Sequence, residues 1–392
     1  MEQHELEIVF SNEFRQEVER NLGRNAQDVA LDSRVANARL VATQVKYLQR
    51  AQKKLPSYYA ARAIIPSLAF EQSSSEECAA HKRFEGNVAI DLTCGLGVDT
   101  LYLAKRFRRV VAIEQNPQLA ALTRHNLTLL GADNVEVVCG NSEEYVTSLN
   151  SADLIYADPD RRSASGKKLV RMEDCSPNIV ELLPTLRAKA NHIAVKLSPL
   201  FDIREAQRIF GPEADVEVIS LAGEVKEVMV YWSKEGGGGQ RIATAIGEGS
   251  FASGDNQVEE RTASVETFAP EKYGYLVVPD AALRKASLVE EWCRAEGLDH
   301  YGPYGFSTQL PRCTMGHIYN IKVSHPYQPR KLKGLMAGKI ELIRHTFPLS
   351  SVAICKALGV KEGAGAKWAF GEIDKSLWAF EVERLTEQAP IY

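Results

Sequence analysis

At 392 residues the chain exceeds one ordinary domain, so two or three are expected, and its 45% hydrophobic and 25% charged residues suit a globular protein. A net charge of −4 excludes a global attraction to nucleic acid or membrane, so any basic site must be local. The seven cysteines form no C-x-x-C pair and no run approaches the ~18 apolar residues of a membrane span, which argues against a zinc ribbon, a disulfide framework or a membrane protein.

The acidic start, Met-Glu-Gln-His-Glu-Leu-Glu, has no apolar signal region, and a cytoplasmic protein without a bound metal is expected. Residues 1–84 read as a helical domain. Asp32-Ser33 can cap a helix whose apolar positions Val35, Leu40, Val41, Val45 and Leu48 recur at helical spacing. Arg34, Arg39, Lys46, Arg50, Lys53 and Lys54 give it a basic face, either solvated or turned to phosphates. Pro56 and Pro66 punctuate the end of the region, and Ser74 or Ser75 can cap a short helix beyond them.

Residues 85–235 alternate short apolar strands with helical stretches, as a parallel α/β sheet does. Strands are expected at 88–92, 109–114, 135–139, 153–157, 192–197, 216–221 and 226–232, with helices near 99–107, 117–130, 142–149, 176–190 and 203–210. No helix fits between the last two strands, so they must form an antiparallel hairpin. The first strand runs into Asp91-Leu-Thr-Cys-Gly-Leu-Gly-Val-Asp-Thr100. Gly95 and Gly97 allow a sharp turn and close backbone approach to a ligand, and the second strand ends in Glu114, where a ribose would be held. Thr100 stands where a dinucleotide fold has its third glycine, which leans away from NAD. Gly236-Gly-Gly-Gly239 reads as a flexible joint, opening a linker over 236–270. Small α+β units follow at 271–322 and 323–392.

With these elements in place, the chain resembles the class I S-adenosylmethionine-dependent methyltransferases, whose Rossmann-like seven-stranded sheet ends in an antiparallel hairpin. Residues 74–160 resemble the trimethylguanosine synthase branch, in the helix Ser75-Glu-Glu-Cys-Ala-Ala-His81, the glycine motif, Glu114, Asn116-Pro117 and Asn126. The whole chain resembles methyltransferases with a ferredoxin-like insert and a THUMP-like C-terminal domain. The resemblance implies that S-adenosylmethionine is the cofactor, with Asp91 under the methionine amine. It also implies that Glu114 takes the ribose diol, that Asn141 and Ser142 read adenine, and that Thr93, Gly95, Gly97, Asp99, Thr100 and Gln115 line the same pocket.

The transfer motif on this resemblance is Tyr156-Ala-Asp-Pro-Asp-Arg-Arg162. An Asp oxygen and a Pro carbonyl there accept the N–H groups of an amine, localising its lone pair toward the methyl. Asp158 and Pro159 match; Asp160 and Arg161 depart from the family's second proline and aromatic, leaving Arg161 to stack a base, or to bind a phosphate while Asp160 serves as a catalytic acceptor, or else Asp160 to pair with Arg161 or Arg162 and hold the loop. Lys196 ends the fifth strand, as a substrate contact or reaching solvent along its stem, and Arg162 is a substrate contact. A basic run including Lys322, Arg330, Lys331, Lys333, Lys339 and Arg344, with His325, Tyr327 and His345 interleaved, suits RNA; Lys331 and Lys333 are its candidate contacts. The expectation is methylation of a base nitrogen in structured RNA. A non-catalytic RNA-binding protein that retains the cofactor pocket, or a methyltransferase for a small molecule or protein, is the alternative.

Overall fold

The computed structural model describes residues 3–160, 172–254 and 267–385. The chain divides into two compact units, Met1–Val216 with Glu227–Gly239, and Glu217–Lys226 with Gln240–Tyr392. No helix of the described residues is long and apolar enough to cross a membrane.

The first unit opens with seven helices: α1 (Gln3–Phe10), α2 (Asn12–Asn21), α3 (Ala26–Leu31), α4 (Ala38–Lys54), α5 (Pro56–Ala60), α6 (Ser67–Gln72) and α7 (Glu76–Ala80). The α/β part follows as β1 (Gly86–Asp91), α8 (Val98–Ala104), β2 (Phe107–Glu114), α9 (Pro117–Leu129), β3 (Val135–Cys139), α10 (Ser142–Ser148), β4 (Ala152–Ala157), α11 (Ile179–Lys189), β5 (Ala190–Leu197), α12 (Ile203–Phe210), β6 (Asp215–Leu221) and β7 (Glu224–Ser233). The seven strands run in the order β3-β2-β1-β4-β5-β7-β6. Strands β1 to β5 are mutually parallel, while β7 runs antiparallel to β5, with Lys196 opposite Met229. Two residues join β6 to β7, and both, Ala222 and Gly223, have positive φ, as the tightest hairpin turn requires. This is the expected α/β architecture with its antiparallel end.

Helix α4 buries Val41, Val45, Leu48 and Ala51 in one core with Leu96, Leu101, Leu122 and Leu127 of the α/β part. Each large side chain so buried contributes about 1.5–3 kcal/mol. The helix begins later than its apolar spacing suggests. Asp32, expected to cap it, instead ends α3 and is taken by Arg24 and Arg34, while Asn37, at φ 53°, precedes α4 without a side-chain cap. Asn126 of α9 fastens the segment before α6: its amide accepts from Ile64 N–H at 2.9 Å and donates to Ile64 O at 2.8 Å. The glycine run is packed rather than open. A Cβ at Gly237 would lie 2.3 Å from Glu213 O, and one at Gly239 2.2 Å from Pro212 O, so glycine is there for close approach.

The second unit contains β8 (Arg241–Ala245) and β9 (Gly249–Ala252), then β10 (Tyr275–Pro279), α13 (Ala281–Lys285), α14 (Val289–Ala295), β11 (Asp299–Tyr301), β12 (Tyr304–Ser307), β13 (Gly316–Pro326), α15 (Pro329–Leu332), β14 (Lys339–Arg344), α16 (Ser351–Leu358), β15 (Lys361–Glu362), β16 (Ala366–Ile373) and β17 (Ser376–Arg384). Its main sheet has eight strands in the order β11-β12-β10-β13-β17-β16-β14-β15. Strand β13 pairs with β10 on one side and β17 on the other. It crosses the expected division at 322/323, so one continuous sheet serves both sections. Aromatic residues Phe268, Tyr273, Tyr304, Phe306 and Phe380 fill one of its cores.

Candidate active site

In a parallel α/β sheet, ligands bind beyond the carboxyl ends of the strands, and the candidate residues gather there. Asp91 ends β1, 1% exposed, with one oxygen accepting from Thr93 N–H at 3.0 Å and the other from the Thr100 hydroxyl at 2.6 Å. Burial raises its pKa to about 7, with Thr100 and the Thr93 N–H only partly offsetting. Asp91 and Thr100 therefore hold the turn together from inside. Thr100, wholly buried, does not face a ligand as expected. Thr93 accepts from the Asp158 N–H at 2.6 Å, joining the glycine turn to the loop after β4.

The two glycines have different reasons to be glycine. Gly95, at φ 52°, would place a Cβ with nothing closer than its own turn's Thr93 O at 3.9 Å, so it faces open space. Gly97, at φ 84°, would place one 2.8 Å from the Thr123 methyl and 3.5 Å from Leu127. Gly97 thus admits α9 against the turn, a packing role where cofactor approach was expected. Glu114 ends β2, half-buried, accepting from Gly95 N–H at 3.1 Å and Asn116 N–H at 2.8 Å. Each carboxylate oxygen receives one of these bonds and retains acceptor capacity, and burial raises the carboxyl's pKa. A ribose diol fits this arrangement beside the open side of Gly95. Gln115 is exposed next to it. Asn141 caps α10 by accepting from Glu144 N–H at 2.9 Å, with its amide NH2 end still available to an adenine. Ser142 is buried and donates to Leu92 O at 2.5 Å, tying the loop after β3 to β1 instead of facing a base.

On the other half of the edge, strand register sets one face. Asp91 pairs with Tyr156, Tyr156 with Ala194, and Lys196 with Met229. Since side chains alternate, Asp91, Tyr156, Lys196 and Glu227 project to the same side. Lys196 is 9% exposed rather than reaching solvent. Its ammonium lies 2.6 Å from Asp158 Oδ2, 3.3 Å from Asp99 Oδ2 and 2.8 Å from Ser74 Oγ. Burial opposes its charge, but Asp158 and Asp99 outweigh burial and hold its pKa above the usual lysine range. Asp99, expected to contact cofactor, is instead bound by Lys82 at 2.5 Å and Ser74 at 2.9 Å; burial notwithstanding, Lys196 and Lys82 hold its carboxyl well below the ordinary range. The helix it begins, α8, is only 7 residues long.

Asp158 is the partly open end of this ionic chain, its side chain 36% exposed, and Pro159 beside it is buried. Asp160 is exposed and joins Ser176 through two backbone hydrogen bonds, 2.8 and 3.1 Å. Arg161 and Arg162 lie outside the described residues. Among the described residues no three His, Cys, Asp or Glu side chains are grouped to hold a metal ion.

Ser74, Lys82, Glu76 and Glu227 carry no expected site role in the sequence. Ser75, not Ser74, caps α7. Glu76, 4% exposed, accepts from Ser57 N–H and hydroxyl and from the Tyr102 hydroxyl, fixing α7 against α5 and α8. The sequence signal for Glu227 is a lone acid inside an apolar strand, Lys226-Glu-Val-Met-Val.

In the second unit, Lys331 and Lys333 are exposed on and just after α15. Two of the interleaved rings, Tyr327 and His345, turn inward instead of offering stacking faces. Tyr327 packs on Phe347 and Phe370, and His345 packs on Tyr304 with burial pushing its pKa down to about 4. Lys322 is paired with Glu383 at 2.6 Å.

Residues 89–169 match the family described as Methyltransferase domain. An uncharacterised S-adenosylmethionine-dependent methyltransferase of Mycobacterium tuberculosis is 26% identical over 275 residues, 69% of this chain and 72% of the relative. A 23S rRNA (uracil-C5)-methyltransferase of Klebsiella pneumoniae is 36% identical over 99 residues, 24% of this chain and 21% of the relative. A crystal structure from Porphyromonas gingivalis, provisionally described as a methyltransferase, superposes with a TM-score of 0.81 at 23% identity, covering 99% of this chain and 100% of that one; it shows the fold. With the glycine turn, Glu114 and the antiparallel hairpin in place, these similarities support a class I S-adenosylmethionine-dependent methyltransferase.

Proposed function

We propose that the protein transfers the methyl group of S-adenosylmethionine to a base nitrogen in structured RNA. The observation that carries this reading is the Asp158-Pro159 pair after β4, with the Asp158 carboxylate held by Lys196 at 2.6 Å. Gly95, Glu114, Gln115 and Asn141 would hold the cofactor, which supplies a methyl on a good leaving group. The protein's remaining task is positioning. Asp158 Oδ1 and the Pro159 carbonyl accept the N–H groups of the acceptor nitrogen, turning its lone pair toward the methyl. The Lys196 ammonium fixes the orientation of Asp158 and keeps it an acceptor. RNA as the substrate class is supported by the ribosomal RNA methyltransferase among the relatives and by the exposed Lys331 and Lys333. The ferredoxin-like and THUMP-like assignments of the second unit belong to the same reading.

The test is incubation with methyl-labelled S-adenosylmethionine and total RNA from cells lacking the protein, followed by nucleoside analysis. Label in a base-methylated nucleoside is expected, with RNA affinity falling steeply as salt rises. Asp158→Ala should lower transfer about a hundredfold or more with cofactor affinity unchanged, while Asp158→Asn, which keeps a carbonyl oxygen, loses less. Loss of cofactor binding in both variants would contradict the role given to Asp158.

A further inference from the structure

A buried polar layer lies beneath Asp158, and its charges do not balance. Lys82 and Lys196 supply two ammonium groups, and Asp99, Asp158 and Glu227 supply three carboxylates. Asp99 and Asp158 are the ones paired with the lysines at short distance. Glu227 is 4% exposed, and among the described residues its Oε1 has no hydrogen-bond partner. The Tyr156 hydroxyl, on the same face of the sheet and 1% exposed as a residue, has none either. An unpaired buried carboxylate costs the fold more desolvation free energy than the neutral amide of a glutamine, or an apolar leucine, would cost there. Burial accordingly raises the carboxyl's pKa, although Lys82 and Lys196 pull it back. Two orphaned polar atoms on one face, next to the transfer motif, mark a place built for a group that the described residues do not provide.

The sheet says which ligand that group belongs to. The glycine turn, Glu114 and Asn141 follow β1, β2 and β3, the cofactor half of the edge. Asp158, Lys196 and Glu227 lie at the corresponding ends of β4, β5 and β7, the half left to the methyl acceptor. We infer that Glu227 is an acceptor-binding residue, taking an N–H of the molecule to be methylated and thereby selecting a nitrogen-rich, N–H-donating acceptor over one that presents an anionic edge. This rests on the methyltransferase reading above and gives the acceptor half its chemistry. Asp158 holds the reacting nitrogen, Glu227 holds a second donor deeper in, and Lys196 between them keeps both carboxylates from repelling each other.

The test is Glu227→Gln in the full chain, followed by thermal unfolding, cofactor titration and methyl transfer to total RNA and, in parallel, to an RNA-free cell extract. Glutamine keeps the shape but removes the negative charge and replaces one acceptor oxygen with a donor. Melting at an unchanged or higher temperature, unchanged affinity for S-adenosylmethionine, and kcat/KM lowered about tenfold to a hundredfold are expected. A lower melting temperature or failure to fold would make Glu227 a structural counter-ion of Lys82 and Lys196 and overturn the inference. So would unchanged kcat/KM, which would leave the orphaned oxygen to an internal water. Label entering only the RNA-free fraction would remove RNA as the substrate, and the ratio of variant to wild type on that acceptor still decides the role of Glu227.

Discussion

Asp91 shows how one residue serves the turn without touching solvent. Its unfolded-state pKa is near ~4, and burial raises the folded value to about 7. The folded protein therefore binds the proton more tightly, so this residue's contribution to stability is full below the unfolded value and lost as pH rises through about 7. Asp91→Asn does not titrate. Urea unfolding of the variant should give a smaller loss of stability between pH 5 and pH 8 than the wild type shows, together with an overall cost of about 1–3 kcal/mol at pH 5 from the mismatched amide. Equal pH slopes would place the proton elsewhere. At this scale position was legible in the sequence wherever a motif follows its strand: Asp91 and Glu114 end β1 and β2, and Asp158 directly follows β4. Ser74, Lys82 and Glu227 were not legible, because the segment before β1 and the hairpin strand β7 bring them together only in the folded sheet. Thr100 and Ser142 have the right positions, but their hydroxyls are consumed internally, which spacing alone does not reveal.

Elements were read closely where apolar patterning is strong. Strands β1 to β7 lie within about two residues of their expected ends, because buried parallel strands are nearly continuous apolar runs. Capping was harder: an Asn at positive φ before α4 has no distinctive sequence signature. The two turn glycines separate packing from ligand access. Gly97→Ala puts a methyl into Thr123 and Leu127 at a left-handed φ, and should cost about 2–4 kcal/mol in chemical unfolding. Gly95→Ala meets open space and should cost about 1 kcal/mol of backbone strain, with the larger effect on cofactor affinity. If calorimetry finds the stability and affinity losses exchanged between the two variants, the pocket lies on the other side of the turn.

At the scale of the whole molecule, a chain of net charge −4 would, on the proposed RNA reading, depend on local basic groups to meet its substrate. Many cations are already spent: Arg34 on Asp32, Arg50 on Glu71, Lys322 on Glu383 and Lys367 on Glu341. Lys331 and Lys333 are exposed on the second unit. Replacing both with alanine should weaken RNA binding several-fold and flatten its salt dependence by up to two counterions, with S-adenosylmethionine affinity unchanged. The two-unit division itself was only partly legible, since the glycine run marks one crossing point while the other two lie inside the β6–β7 hairpin.

The most direct measurement is a calorimetric titration of the full chain with S-adenosylmethionine, with NAD in a parallel cell. Saturable one-to-one binding of S-adenosylmethionine is expected, with none for NAD and with loss in Glu114→Ala, whose carboxylate is proposed to receive the ribose. Absence of saturable binding, or equal binding of NAD, would contradict the assignment of the glycine turn and Glu114 as the cofactor site.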